Sequence, residues 1–112
     1  MNITNWVKVC HRTAQDKGLW ETDRSFPAVC AMIHAEVSEA VEEWCVTGDP
    51  GIKIVSTGLV MGKPIGVPVE LADILIRVFD AAGHYGIDLE EALRQKVKFN
   101  ETRPHRHGDK HA

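Results

Sequence analysis

Apolar residues recur at three- and four-residue intervals through most of this chain, a helical pattern with one long interruption. Trp6, Val9, Cys10 and Thr13 share one face of a first segment, from about Thr4 to Lys17, and Gly18 supplies its C-terminal stop. After a short polar turn, Ser25 caps a second helix with Pro27 in its first turn, where a missing N–H does no harm. Val29, Ile33, Val37, Ala40, Val41 and Trp44 form its apolar face, and Gly48-Asp49-Pro50-Gly51 ends it after about Thr47. A third helix starts near Pro68 and stops at Tyr85, before Gly86, with Leu71, Ile74, Leu75, Val78, Phe79 and Ala82 on one side. Asp88 and Glu91 have capping-box spacing for a fourth helix, which reaches about Thr102 and is ended by Pro104.

The interruption spans residues 48–67, where five Gly and two Pro surround a β-type run, Ile52-Lys53-Ile54-Val55. It has room for a small hairpin, and connections of this length are usually functional or mobile. The expected architecture is all-α: one helical domain over 1–103, then a basic, His-rich tail over 104–112. A 112-residue chain buries a modest core, so size alone favours assembly with further copies.

Charge narrows the function classes. A net charge of −3 argues against bulk electrostatic binding of nucleic acid. The charge is unevenly placed: residues 36–43 hold four Glu and no base, whereas residues 94–110 hold six Lys or Arg. An acidic cluster with a basic end suits a divalent cation and a phosphate ligand as well as it suits solubility. The three cysteines, Cys10, Cys30 and Cys45, are odd in number and lack CxxC spacing, which argues against a disulfide scaffold or structural zinc. The start, Met-Asn-Ile-Thr-Asn-Trp, is no signal peptide and no apolar run approaches membrane length. The expectation is a cytoplasmic protein with neither membrane nor nucleic acid as partner.

Glu36, Glu39 and Glu43 stand at i, i+3 and i+7, along the border of the second helix's buried side. Like charges at such spacings repel by a few tenths of a kcal/mol. Partial burial adds to that cost, and a bound divalent cation removes it. The third helix carries another pair, Glu70 and Asp73, opposite its apolar face and alongside Arg77, Asp80 and His84. That face reads equally well as solvated, unless it meets another helix or subunit. Two helices with two carboxylates each, one turn apart, can build the oxygen cage that magnesium takes. No His stands at a spacing within this set that would favour zinc or iron. Spacing alone leaves the cage beside a simpler reading, Glu residues exposed on helices.

The ordered set Glu36-Val-Ser-Glu39 … Glu70-Leu-Ala-Asp73 resembles the ExxE…ExxD signature of the MazG-like nucleotide pyrophosphohydrolases. The likeness extends over nearly the whole chain. Lys17-Gly-Leu-Trp20 is similar to the family's turn after its first helix. Gly86-Ile-Asp-Leu-Glu-Glu-Ala-Leu, Lys96, Asn100 and Arg103-Pro-His-Arg-His-Gly-Asp-Lys110 are similar to its closing helix and basic tail. The resemblance implies an all-α fold whose four-helix bundle is completed by dimerisation or tetramerisation. It also implies hydrolysis of nucleoside triphosphates, often deoxynucleotides, to the monophosphate and pyrophosphate, as nucleotide-pool housecleaning. It assigns magnesium, with manganese as the alternative, to Glu36, Glu39, Glu70 and Asp73. Some members carry a further Glu just before the first metal Glu, proposed as general base; here that position is Ala35. Glu43 is the substitute candidate beside Glu36 and Glu39 in the catalytic set; water activated without a dedicated base is the alternative.

Lys96, Asn100 and Arg103 form a polar stripe at i, i+4 and i+7, suited to a phosphate chain. A solvated helix face is the other reading. His11 and Trp20 are candidates for contacting the nucleobase, against a packing role for Trp20 in the turn. Two further functions share the pattern: a non-catalytic nucleotide-binding or interaction module of the same fold, and the phosphoribosyl-ATP pyrophosphatase of histidine synthesis.

Overall fold

The computed structural model describes residues 1–47, 55–56 and 64–105, and among these it is all-helical apart from a two-residue ladder. Four helices follow in order: α1 (Ile3–Asp16), α2 (Phe26–Thr47), α3 (Val67–Tyr85) and α4 (Leu89–Thr102). Between α2 and α3, β1 (Val55–Ser56) pairs antiparallel with β2 (Pro64–Ile65), with Val55 opposite Ile65. A hairpin-like pairing therefore closes the connection; the rest of the β-type run, residues 52–54, lies outside the described residues. So do residues 106–112, most of the expected tail. None of the helices is long and apolar enough to cross a membrane.

The helix ends sit within a residue or two of where local chemistry puts them. The Asn2 side chain accepts the Asn5 N–H at 2.8 Å and starts α1. Gly18, at φ 80°, lets the Leu19 N–H reach back to the Ala14 carbonyl and close it. Ser25 Oγ accepts the Ala28 N–H at the start of α2. Gly86, at φ 65°, terminates α3 in the same way as Gly18, with Ile87 N–H on the Ala82 carbonyl. Asp88 Oδ1 accepts the Glu91 N–H to open α4. The capping box is only half formed, because the Glu91 carboxylate is taken by Arg94 and Gln95 on its own helix.

α3 is the central helix, packed against both α1 and α2, while α4 leans on α1. The start of α4 is pinned to the start of α1 where Glu90 Oε1 accepts the Ile3 N–H at 3.1 Å. The buried core is small: Val7, Cys10, Phe79 and Ala82, with Ile3 and Leu89 packed against it. Much of the expected apolar surface stays outside it. Val37, Val41 and Trp44 on α2 and Leu71 and Leu75 on α3 are all exposed, Trp44 at 49% and Leu75 at 52%. Trp6, which could have been core, is exposed as well. Of the two readings left open for α3's acidic side, the one in which it meets other helices holds over most of its length: Arg77 bonds Glu36 of α2 and the buried Asp80 bonds His11 of α1, while His84 is exposed.

The α1–α3 crossing is close at Gly83, where a Cβ would lie 2.6 Å from His11 Cβ. That atom is fixed to the α1 backbone and no rotamer change moves it. Gly83→Ala is therefore expected to lower stability by about 2 kcal/mol despite the better helix propensity of Ala. A thermal melt should fall by roughly 10 °C; a Tm equal to or above that of the parent chain would contradict the close crossing.

Candidate functional site

The packing of α2 on α3 brings the two acidic pairs together. Glu36 from α2 and Glu70 and Asp73 from α3 each offer a carboxylate oxygen, and these atoms lie within 4.8 Å of one another. Glu36 is buried, at 9% exposure, and Glu70 and Asp73 are half-buried. Glu39, one turn along α2, is the most exposed of the four. Its pKa is raised, first by a hydrogen bond with the Glu36 side chain, then by the charge on Glu36, by desolvation, and by the charges on Glu70 and Asp73. Glu39 thus senses the charges of the other three predicted metal ligands, on its own helix and on α3. Glu70 also lies in the first turn of α3, where the helix dipole favours a negative charge. An all-oxygen donor set of this kind fits a hard divalent cation such as magnesium.

The raised Glu39 pKa has a definite sign in stability. The folded chain holds this proton more tightly than the unfolded chain, whose value is near 4.5. The group's contribution is present below that value and is lost as pH rises through the raised folded value. A cation held by these carboxylates competes with the proton. Millimolar magnesium is therefore expected to raise Tm clearly at pH 7.5 and much less at pH 5. An equal shift at both pH values, or none, would count against the cage.

Beside the carboxylates opens a cavity of about 560 Å³. Glu36, Glu39, Asp73, Arg77 and Asp80 line one side, and Trp6, Val9, Leu19 and Ile76 give it an apolar wall. Arg77 Nε donates to Glu36 Oε1 at 3.0 Å, so a cation sits within the acidic cluster. Cys10 is also on the wall; burial, and secondarily the Asp80 charge, push its pKa up, so it stays a thiol and is a poor nucleophile.

The two candidates for base contact, His11 and Trp20, converge on Asp80. His11 Nδ1 donates to Asp80 Oδ1 at 2.8 Å, and Trp20 Nε1 donates to the same oxygen at 2.9 Å. The Trp20 ring stacks on His84, with centroids 3.6 Å apart and planes 4° from parallel. Trp20 thus has the packing role weighed for it in the sequence, and neither residue lines the cavity; only Asp80 of this group does.

The other candidates lie apart. Lys96 and Arg103 flank the Phe99 ring on α4, their cationic groups 5.1 and 5.7 Å from its centroid. Neither they nor Asn100 lines the cavity, so the basic stripe and the acidic cluster do not share one pocket within a single chain. Glu43, half-buried, is likewise outside both the carboxylate trio and the cavity lining. Sequence reasoning did not single out Arg77 or Asp80. The available signal was their position: with Glu70 and Asp73 they stand at i, i+3, i+7 and i+10 on one face of α3. No family model matches the chain, and neither the curated proteins nor the solved structures contain a significant match to it.

Proposed function

We propose that this chain is a magnesium-dependent nucleoside triphosphate pyrophosphohydrolase, cleaving ribo- or deoxynucleoside triphosphates to the monophosphate and pyrophosphate. The observation that carries the reading is the meeting of Glu36 from α2 with Glu70 and Asp73 from α3, and Glu39 hydrogen-bonded to Glu36, at the edge of a nucleotide-sized cavity. Glu36, Glu39, Glu70 and Asp73 would hold magnesium, or manganese, which when bound neutralises and orients the phosphate chain. The apolar wall around Trp6, Val9 and Ile76 excludes water from the nucleoside end. Glu39 is suited to take the proton from the attacking water, since it is the most exposed of the four carboxylates and lines the cavity. Its place in the cavity favours it over Glu43 as the base that Ala35 cannot be.

The same reading includes a MazG-like fold, assembly into a homodimer or homotetramer, and work on the free nucleotide pool of the cytoplasm. The exposed stripes Val37, Val41, Trp44 and Leu71, Leu75 support burial against a second copy. Assembly would also let Lys96, Asn100 and Arg103 of one copy approach the carboxylates of another. Light scattering should give at least twice the chain mass, and Trp44→Glu should shift it towards the monomer. A parent chain that is monomeric at micromolar concentration would remove this element.

A nucleotide-binding module without turnover is the second reading, favoured by Ala35 standing where a general base could have been. Pyrophosphate release from a panel of nucleoside triphosphates with magnesium separates the two. Turnover of at least one, abolished by a chelator, supports the enzyme; tight binding with no turnover supports the module. Turnover of phosphoribosyl-ATP alone would assign the chain to histidine synthesis.

A further inference from the structure

We infer that Arg77 is a substrate-binding residue of this cavity, contacting the phosphates of a magnesium-bound nucleoside triphosphate directly. The inference rests on the pyrophosphohydrolase reading of the same cavity and names the group that meets the phosphates within a single chain.

Arg77 stands one turn beyond Asp73 and two beyond Glu70 on α3, so it follows them along one face, its Cα about 6 Å further along the axis than that of Asp73. Its side chain turns back to α2 and donates through Nε to Glu36 Oε1. It lines the cavity with Glu36, Glu39 and Asp73 and keeps about a third of its side-chain surface in contact with solvent. A residue serving solely as a buried counter-ion would not need that access.

Charge makes the same point. Glu36, Glu39, Glu70 and Asp73 would repel a triphosphate carrying about four negative charges wherever a cation does not stand between them. Magnesium offsets part of that, and the coordination places it keeps for phosphate oxygens bring the phosphate chain to the cage. The approach runs past Arg77. A guanidinium has five N–H groups in a planar fork, and the bond to Glu36 engages Nε, so the Nη pair has the geometry for a phosphate. Lys17 is the cavity's other cationic side chain, at the C-terminal end of α1. Lys96 and Arg103 of the basic stripe do not line the cavity. Arg77 is therefore the cation nearest the acidic cluster among the described cavity residues.

The test is calorimetric binding of α,β-methylene deoxynucleoside triphosphates with magnesium, which cannot be turned over, to the parent chain, Arg77→Gln and Arg77→Lys. Magnesium binding alone and Tm are recorded for each. The expected result is affinity lowered at least tenfold in Arg77→Gln and less in Arg77→Lys, with magnesium affinity unchanged or tighter. Nucleotide affinity within twofold of the parent in Arg77→Gln would overturn the inference and leave Arg77 a counter-ion for Glu36. No analogue binding to a folded parent chain would overturn both the inference and the pyrophosphohydrolase reading. Analogue binding lost in Arg77→Gln, with no turnover of the natural triphosphates by the parent, would keep Arg77's role and remove the hydrolase. If Arg77→Gln does not fold, Arg77→Met, which keeps an apolar stem without the charge, decides: nucleotide affinity within twofold of the parent there overturns the inference.

Discussion

Asp73→Asn is expected to lower magnesium-dependent pyrophosphate release by about 100-fold or more. Even groups one step removed from a metal typically cost about 10–100-fold when lost, and Asp73 offers its oxygen directly to the cluster with Glu36 and Glu70. Glu39→Gln should fall as far, since that group is assigned both to the cage and to the attacking water. The same substitutions should act on stability with the opposite sign. Each takes one negative charge out of a cluster in which Glu36, Glu70 and Asp73 together raise the proton affinity of Glu39. Without magnesium, both variants should therefore melt at higher temperature than the parent chain, and the stabilising effect of magnesium should shrink. A site held for function at the expense of stability behaves in this way. Substitutions that left hydrolysis within a few-fold of the parent, or that lowered Tm without magnesium, would show the carboxylates to be ordinary surface or structural groups.

Asp80→Ala is expected to produce the largest loss of stability. Asp80 is 7% exposed, and one of its oxygens accepts from both His11 Nδ1 and Trp20 Nε1. It ties α3 to α1 and to the turn that follows α1, and it holds Trp20 flat against His84. Alanine leaves two part-buried donors without their acceptor, at about 1–3 kcal/mol each. A net loss of about 3 kcal/mol, or on the order of 15 °C in Tm, should follow. Asp80→Asn, which keeps an accepting oxygen, should lose much less. A fall of only a few degrees for the alanine variant would mean that water satisfies both donors and that the contact does not hold the helices together.

The helices were legible in the sequence because their ends are set locally. Gly18, Ser25, Gly86 and Asp88 each act on backbone groups within a few residues of themselves. The first acidic pair was also visible, since Glu36 falls at the border of α2's apolar face. What could not be read from the sequence was the orientation of α3. A helical wheel sorts residues into faces but does not say which face meets a neighbour. Packed by both α1 and α2, α3 turns its acidic side inwards, while Leu71 and Leu75 stay exposed on the single chain. The rule that apolar faces point inwards fails there because the core of this small chain is only a few side chains. Arg77 lay on that same wheel, but its bond to Glu36 spans 41 residues and no local pattern shows it. The α4 stripe is the converse case. Lys96, Asn100 and Arg103 have a suggestive spacing, yet α4 packs on α1, away from the carboxylates.

The most direct test of the central claim is phosphorus NMR of the products formed when the purified chain meets nucleoside triphosphates and magnesium. The account predicts nucleoside monophosphate and pyrophosphate in equal amounts, with neither formed in the presence of chelator. Release of orthophosphate with nucleoside diphosphate, the same products without any divalent cation, or no cleavage of any triphosphate would contradict it.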